Sequence, residues 1–579
     1  MEDKQALNVL RHSTSHILAA AVTELFPETK VAIGPSIEDG FYYDFDRPTP
    51  FSVEDLSKIE NKMREIIKAD YPFKHLEISK EKAIDEFKKK NEKFKAEIAE
   101  GIDGDTVNIY QCGNFSDLCK GPHIKSTGEV KYFKLLSVAG AYWRGDSSRE
   151  QLQRIYGTAF FTKEDLDKYL QKIEEAKKRD HRKLGKDLDL FSIHDEVGAG
   201  LILWHPKGAL IRNIIENYWK KLHLENGYDF LQTPHIASEE LYSISGHLQT
   251  FNENMYAPME VEGKPYRVKP MNCPGHLMIY KTKLHSYKEL PIKYAELGTV
   301  YRFEKSGVLH GLLRVRGFTQ DDGHVIVAPD MLEQEILNVF NMAVSLLQTF
   351  GFYEYEIYLA TKPPNKYVGE DSDWQRAEES LKKTLEKTGY KYQVDEGGGA
   401  FYGPKIDIKI KDSIGRAWQC STIQFDFNLP ARFDISYVDS AGKKVRPYMI
   451  HRALFGSMER FLGVLIEHYV GALPLWISPV QIVIANINEE QIDYCKSLLK
   501  TFNDNGIRTS LDGRNEKIGH KIRENAMQKI PYIAVVGNKE KESGSVAVRA
   551  RGNKDLGTMK IEEFISLVKS KNIPGINEI

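Results

Sequence analysis

"HGLLRVRGFTQDDGHVIV", His310 to Val327, is the stretch on which the reading of this chain turns. Taken as a strand, its alternate residues Arg314, Arg316, Phe318, Gln320, Asp322 and His324 share one side. The other side carries Val315, Gly317, Thr319, Asp321, Gly323 and Val325, mostly small or apolar. A solvent-facing sheet shows the same alternation, but with short polar residues and lysine. Two guanidiniums, an aromatic ring, an amide, a carboxylate and an imidazole on one side suit a face that binds something.

Two further stretches supply more of such a site. "YRFEKSG", residues 301–307, sets Arg302 and Glu304 on one strand face ahead of a loop, and "HRALFGSMERF", residues 451–461, puts Arg460 on a helix. Arginines delivered from separate elements suit an oligophosphate, because each guanidinium grips oxygens bidentately and stays charged. A single arginine is equally well explained by a surface ion pair; the set is not. Phe318 offers a stacking surface for a base, and Glu304 can accept from an exocyclic amine. No GxxxxGK[ST] or GxGxxG segment occurs, which argues against the conventional nucleotide folds.

At 579 residues the chain exceeds one hydrophobic core. A net charge of -2, with 28% charged and 41% hydrophobic residues, is ordinary, so any basic surface must be local. No apolar run approaches the roughly 18 residues of a membrane span, and "MEDKQALNVLRH" lacks the order of a signal peptide. Cys112, Cys119, Cys273, Cys420 and Cys495 are too scattered for a disulfide scaffold. A reducing cytoplasm fits, and there a cysteine near histidines becomes interesting as a metal ligand.

Four regions separate. Residues 1–160 mix helical periods with short strands such as "GFYYDFD". Residues 161–185 predict one long linker helix, capped by Thr162 with Asp165, striped by Leu166, Tyr169, Leu170 and Ile173, and ended by Gly185. Residues 186–475 mingle helices with alternating strands and no βαβ rhythm, as antiparallel sheets do. Residues 476–579 repeat strand, helix, strand in "VQIVIAN", "EEQIDYCKSLLKTFNDNG", "RTSLD" and "PYIAVVG", a small α/β pattern. Between Leu511 and Lys560, eleven Lys and Arg face six Asp and Glu, a net +5 that suits a nucleic-acid backbone or an ordinary solvated face.

These motifs carry a resemblance. "YRFE…RVRGFTQDD" resembles motif 2 of the class II aminoacyl-tRNA synthetases and "GSMERF" their motif 3. The helix Ile211–Leu222, followed by "GYDFLQTPHI" with Pro234, resembles motif 1. More closely, "KPMNCPGH", "RVRGFTQDDGH", "FYGPKID", "WQCSTIQFDF" and "MIHRALFGSMERF" are similar to the threonyl-tRNA synthetases, in order through essentially the whole chain. The resemblance implies an α+β multidomain protein: an N-terminal α+β editing domain, the class II antiparallel sheet with flanking helices, and a C-terminal α/β anticodon-binding domain. It implies ATP-dependent activation of L-threonine, transfer to tRNA(Thr), and hydrolysis of mischarged Ser-tRNA(Thr).

It also implies roles. Arg302 would hold the α-phosphate, Arg314 and Arg460 the γ-phosphate, with Phe318 stacking on adenine and Glu304 reading its amino group. Magnesium would share the phosphates. Gln419 joins the ATP-binding set, Lys405 the catalytic set, and Tyr402 and Gln424 the threonine pocket. Cys273, His324 and His451, each an ordinary structural residue when taken singly, become the three ligands of one zinc per subunit. Three protein ligands and an open position characterise a functional zinc. Threonine's amino and hydroxyl groups would fill that position, with Asp322 accepting from the hydroxyl. Valine would leave Asp322 unpaired, and sites built for a hydroxyl reject its absence by roughly 10⁴ to 10⁵. His247 matches a histidine near the ribose of the terminal adenosine, which suggests proton transfer during acyl transfer; a structural histidine fits its looser motif too.

Serine differs from threonine by one methyl, worth about 1 to 3 kcal/mol, so editing is expected. His12 and His16 in "HSTSH" share a helix face, and Cys119 and His123 in "CKGPH" add a second pair. By ligand type alone this is a zinc site. The resemblance changes that reading: alanyl relatives bind zinc there, whereas the threonyl enzymes are held to hydrolyse without it, and metal-free hydrolysis is the expectation. Asp117, Tyr43 and, more loosely, Lys95 match positions around that pocket.

In the C-terminal region Asn515, Lys517, Arg523, Glu540 and Arg549 match anticodon-reading positions, where unstacked bases expose their edges. A homodimer through motif 1, no membrane association and a cytoplasmic location complete the expectation. Many threonyl enzymes carry a small ubiquitin-like domain first; here the HxxxH helix starts almost at Met1, so that domain is expected to be lacking. The rivals are an inactive paralogue that regulates by binding RNA, and a zinc hydrolase at the N-terminus with the rest as scaffold.

Overall fold

The computed structural model describes residues 2–146, 148–365 and 367–578. It divides into two compact units, Met1–Glu175 and Ala176–Ile579.

In the first unit, helix α1 (Glu2–Leu25) runs without glycine or proline until Pro27 follows its end. Its Leu10, Ile17, Leu18 and Val22 share one core with Phe41, Tyr43 and Phe45 of strand β1 (Gly40–Asp46). A separate antiparallel ladder joins β2 (Phe73–Ser79), β3 (Thr106–Cys112) and β4 (Phe115–Leu118), with helix α2 (Lys93–Glu100) between the first two in sequence. Strands β5 (Tyr132–Tyr142) and β6 (Gln151–Phe160) extend the β1 sheet.

The expected single linker helix is two helices, α3 (Lys163–Arg179) and α4 (His181–Asp187). Asp180 breaks them by accepting from Arg182 N at 2.8 Å, as an N-cap does. Gly185 does not end the helix; it lies buried in α4 where a Cβ would meet Phe191 at 2.2 Å. The Thr162 cap is present, accepting from Asp165 N at 3.1 Å.

The second unit is built on an eight-stranded sheet. Its helix α5 (Pro206–Glu225) spans the residues likened to motif 1, and α6 (Cys273–Tyr280) starts at Cys273. The sheet's six central strands include β7 (Ile292–Tyr301), β8 (Gly317–Val327), β9 (Lys405–Lys411), β10 (Ala417–Asp426) and β11 (Tyr448–Ala453), in spatial order β7-β8-β11-β10-β9 followed by Tyr355–Ala360, all antiparallel. The outermost pairings, Asp229–Phe230 with β7 and Tyr392–Asp395 with Tyr355–Ala360, are parallel.

Strand β8 is shorter than the alternation suggested. Residues 310–314 form a turn, with Leu313 N bonded to His310 O at 2.9 Å and Gly311 at φ +49°. From Gly317 onward the alternation holds. Val325, Ile450 and Phe425 form one row across the sheet and enter the main core, with Phe461 and Leu465 of helix α7 (Met458–Tyr469).

The C-terminal part has β12 (Ile482–Asn486) parallel to both β13 (Thr509–Asp512) and β14 (Tyr532–Val536), then β15 (Ser545–Ala550) antiparallel to β14. No helix among the described residues is long and apolar enough to cross a membrane.

Candidate active site

Sheet register does what sequence distance hides. Tyr294, His324, His451, Gln424 and Lys405 pair in turn across five strands, so they form one row on one face. That face lines a cavity of about 430 Å³ together with Phe318, Gln320 and Asp322 of β8. Arg302 and Glu304, just past the end of β7, line it too, as do Arg314, Tyr402, Gln419, Cys273 and Arg460 near the start of α7. Arg316 does not line it; its Nε donates to Glu304 O at 2.8 Å.

The arginines are held by protein groups. Arg302 donates from Nε to Pro270 O at 3.2 Å and lies 5.2 Å from the Phe318 ring centroid and 5.5 Å from that of Phe251. Arg460 donates from Nε to Leu313 O at 3.1 Å. Lys405 Nζ, Gln419 Nε2 and Thr422 Oγ1 converge on the Asp407 carboxylate at 2.6, 2.8 and 2.8 Å. Gln424 Nε2 donates to Gly403 O at 3.1 Å, and Asn272 Nδ2 donates to Asp322 Oδ2 at 3.0 Å.

Cys273, His324 and His451 offer ligand atoms within 4.8 Å of one another, all buried. Their partners set the tautomers. His451 Nε2 is 2.8 Å from Asp426 Oδ2, so it donates and leaves Nδ1 a lone pair. His276 Nε2 donates to Glu296 Oε2 at 2.9 Å, so its Nδ1 accepts from His324 Nδ1 at 2.8 Å. His324 Nε2 is then also a lone pair, 3.0 Å from His451 Nδ1. Two ring lone pairs facing each other beside a thiol are a donor set of the kind zinc takes, so the residues fit a zinc ion. Burial opposes ionisation of Glu296, but the His276 bond, Thr233 N–H and Lys269 hold its carboxyl down at about 2. Burial alone favours a neutral His324 ring and a protonated Cys273 thiol; a bound cation reverses the second.

On the reverse face, Asp321 is fully buried. It accepts from Arg452 NH1 and Trp219 Nε1, both at 2.7 Å, and from Leu454 N and Phe455 N at 2.6 and 2.9 Å. This ties β8 to β11 beside the His324–His451 pairing. Arg452 fits there because Gly323 has no side chain: a Cβ would lie 2.2 Å from Arg452 Cζ.

His247 is not brought to the cavity wall. It is buried behind Met271, with Nε2 3.1 Å from Met271 Sδ and Nδ1 2.7 Å from Ser245 Oγ. Burial depresses it to about 4.

In the first unit, His12, His16, Cys119 and His123 gather with ligand atoms within 4.8 Å. Cys119 Sγ lies 3.2 Å from His12 Nε2 and 3.3 Å from His123 Nε2. Ser13 Oγ is 3.0 Å from His123 Nδ1, and the His123 ring stacks on Phe73 at 4.8 Å. Lys95, Tyr43 and Asp117 form a second, buried layer. Lys95 Nζ pairs with Asp117 and donates to Tyr43 OH at 3.1 Å, and Tyr43 OH donates to Asp117 Oδ2 at 2.5 Å. His16 Nδ1 is 3.7 Å from the same carboxylate. Burial pushes all three imidazoles down, His123 to about 2, and the Cys119 thiol up to about 11. Burial thus favours neutral rings and a protonated thiol in this cluster.

In the C-terminal part, Asn515, Lys517 and Arg523 are exposed on the segment after β13, and Glu540 follows β14. Both segments leave the carboxyl ends of parallel strands, where open α/β sheets bind ligands. Glu540 Oε2 accepts from Gly537 N at 2.9 Å. Arg549 sits elsewhere, opposite Ile533 near the other end of β14, with NH1 3.3 Å from Asn553 Oδ1.

Sequence reasoning passed over His276, Glu296, Asp407, Asp426 and the Asp321–Arg452 pair. The signal was present for three of them. His276 follows Cys273 by one helical turn, and Asp407 and Asp426 follow Lys405 and Gln424 by two, the period that keeps a strand face. Glu296 and Arg452 needed the register.

Three family models match: the class II core domain of tRNA synthetases (G, H, P, S and T) over residues 257–469, an anticodon binding domain over 481–571, and the threonyl and alanyl tRNA synthetase second additional domain over 107–156. The threonine–tRNA ligase of a Sulfurihydrogenibium species is 54% identical over 98% of this chain and 89% of its own. That of Acidithiobacillus ferrooxidans is 54% identical over 100% of this chain and 90% of its own. Among solved structures, one described as the RNA binding domain of threonyl-tRNA synthetase from Cryptosporidium parvum Iowa II has a TM-score of 0.66 at 36% identity, covering 68% of this chain and 99% of that one. Prolyl-tRNA synthetase of the same organism, at 18% identity and a TM-score of 0.52, shares the fold alone. Full-length identity at this level, on a cavity that joins three arginines to a Cys-His-His cluster, makes the chain a member of the threonyl-tRNA synthetase family.

Proposed function

We infer that the protein is a threonine–tRNA ligase that activates L-threonine with ATP and magnesium, transfers it to the 3′ end of tRNA(Thr), and hydrolyses Ser-tRNA(Thr) made in error. The observation that carries the reading is the Cys273, His324 and His451 cluster opening into the cavity that holds Arg302, Arg314 and Arg460.

Activation asks little covalent chemistry of the protein. The threonine carboxylate attacks the α-phosphorus in line and pyrophosphate leaves, so positioning and charge neutralisation are the catalysis. Arg302, already braced by Pro270 and two rings, holds the α-phosphate. Arg314 and Arg460 hold the γ-phosphate, Phe318 stacks on adenine, Glu304 reads its amino group, and Gln419 and Lys405 line the remaining wall. Cys273, His324 and His451 would hold one zinc per subunit, which would supply Lewis-acid chemistry toward threonine's amino and hydroxyl groups. Asp322, oriented by Asn272, accepts from the hydroxyl, and Tyr402 and Gln424 close the pocket. His247 serves acyl transfer once Met271 gives way.

In the first unit His12, His16 and His123 orient water and the acyl ester without metal, with the Cys119 thiol beside them and Lys95, Asp117 and Tyr43 fixing the pocket. Asn515, Lys517, Arg523, Glu540 and Arg549 read anticodon bases. The domains run 1–160, 161–185, 186–475 and 476–579. Exposed Leu203, Leu210, Leu224, Phe230 and Ile236, around α5, suit a second copy of the chain, so we assign a homodimer. The free cysteines suit a cytoplasmic location.

The test is ATP–pyrophosphate exchange across all amino acids. Threonine-dependent exchange, weaker exchange with serine and none with valine is the expected result. Exchange with no amino acid, in folded and zinc-loaded protein, overturns the reading and leaves an RNA-binding paralogue.

A further inference from the structure

The turn His310–Arg314 carries one group assigned to ATP, the Arg314 side chain, and holds a second: the Leu313 carbonyl receives Arg460 Nε at 3.1 Å. Internally the turn has only His310 O and N to fold on, through Leu313 N at 2.9 Å, Arg314 N at 3.3 Å and Arg314 O at 3.0 Å. A further donor of the turn is the Leu312 N–H. That group is met by His181, a buried residue at the start of α4: Leu312 N donates to His181 Nε2 at 2.9 Å.

His181 also stands with Asp180 and Glu467 in a group whose ligand atoms lie within 4.8 Å, the geometry of a metal site. The hydrogen bonds argue otherwise. His181 Nδ1 lies 2.7 Å from Glu467 Oε1, to which it donates, and that tautomer makes Nε2 the acceptor that Leu312 N–H needs. No ring lone pair is left for a cation. Glu467 is itself held, receiving His181 N at 3.2 Å on Oε1 and Arg416 NH2 on Oε2. The ring is thus a strut with one end on the last turns of α7 and the other on the turn.

The packing is cut to match. Gly311 lies at φ +49°, and a Cβ there would come within 2.2 Å of His181 Nε2. On α7, a Cβ at Gly463 would meet Leu313 Cδ2 at 3.0 Å and Leu312 Cβ at 3.2 Å. Two glycines admit the turn and the ring to the same small space.

We propose that His181 is a positioning residue for ATP: by accepting from Leu312 N–H it fixes the His310–Arg314 turn, and through it Arg314 and the Leu313 carbonyl that orients Arg460. The proposal rests on the reading of this cavity as an ATP-activating site.

Two variants separate it from general packing. His181→Asn keeps a donor near Glu467 but withdraws the acceptor from Leu312, whereas His181→Gln can restore an acceptor near the Nε2 position. Gly311→Ala pushes the turn off the ring while leaving His181 and α4 intact. In ATP–pyrophosphate exchange, His181→Asn and Gly311→Ala should each raise KM for ATP about ten-fold, with KM for threonine and hydrolysis of Ser-tRNA unchanged and His181→Gln closer to wild type. Wild-type KM for ATP in both variants overturns the proposal. Losses shared equally by ATP binding, threonine binding, Ser-tRNA hydrolysis and melting temperature also overturn it, making His181 a packing residue. If His181→Asn does not fold, Gly311→Ala decides. Absence of exchange in the wild type would instead fault the underlying reading.

Discussion

Arg314 donates from Nε to Glu304 Oε2 at 3.1 Å, and its NH2 lies 3.0 Å from the same oxygen. These side chains are assigned to opposite ends of one nucleotide, the γ-phosphate and the adenine amino group, so each satisfies the other until ATP separates them. Arg314 is 51% exposed, and such pairs contribute at most about 1 kcal/mol, which ATP binding easily overcomes. Arg314→Ala should raise KM for ATP about ten-fold or more without changing KM for threonine. Glu304→Gln should relax selection of ATP over GTP, measured as the ratio of exchange rates.

Removal of a zinc ligand should abolish both metal and amino-acid choice. Cys273→Ala is expected to lose its bound zinc, measured by elemental analysis, together with threonine-dependent exchange. Glu296→Gln acts through His276 on the tautomer of His324 and should weaken zinc retention against a chelator about ten- to hundred-fold. Unchanged retention would refute the assignment of those tautomers.

At the first-unit cluster, Cys119→Ala should slow hydrolysis of Ser-tRNA about 100-fold while exchange with ATP stays at the wild-type rate. The thiol pushed up to about 11 should react slowly with iodoacetamide at pH 7. Asp117→Ala leaves the Lys95 ammonium buried without its partner and should cost about 3 to 5 kcal/mol of stability, read by denaturant unfolding.

His247 supplies a pH prediction. Burial lowers it to about 4, against about 6.5 for an unfolded histidine, so between those values the unfolded chain binds the extra proton. Its contribution to stability is complete above about pH 6.5 and is lost as pH falls towards 4. If His247 takes a proton during acyl transfer, the single-turnover transfer rate should show no histidine limb between pH 5 and 7. A limb near 6.5 that disappears in His247→Asn would overturn this.

What the chain disclosed in advance follows from periodicity. Phe318, Gln320, Asp322 and His324 were legible because a half-buried strand repeats every two residues, and His12 with His16 because a helix brings the fourth residue round. Lys95 was a loose match, yet it proves to be buried against Asp117 and Tyr43. The alternation failed at Arg316, where a left-handed glycine and a turn precede the strand and no ladder enforces the pattern. It failed at the linker, where Asp180 competes for backbone N–H groups that a continuous helix would use. Glu296 and Arg452 were beyond reach because their partners lie across strands, and register is a property of the assembled sheet. Asp321 was counted among small and apolar neighbours, although its carboxylate binds four donors.

Asp321 and Asp322 are adjacent in the chain and point to opposite sides of β8. One carboxylate is bolted into the scaffold, and the next lines the cavity and is the group we assign to the amino acid. A one-residue slip of this strand would turn each to the other face, taking Asp321 away from Trp219 and Arg452 and Asp322 out of the cavity. Under that assignment, the choice of amino acid depends on the register of β8 against β11 as well as on the identity of the side chain.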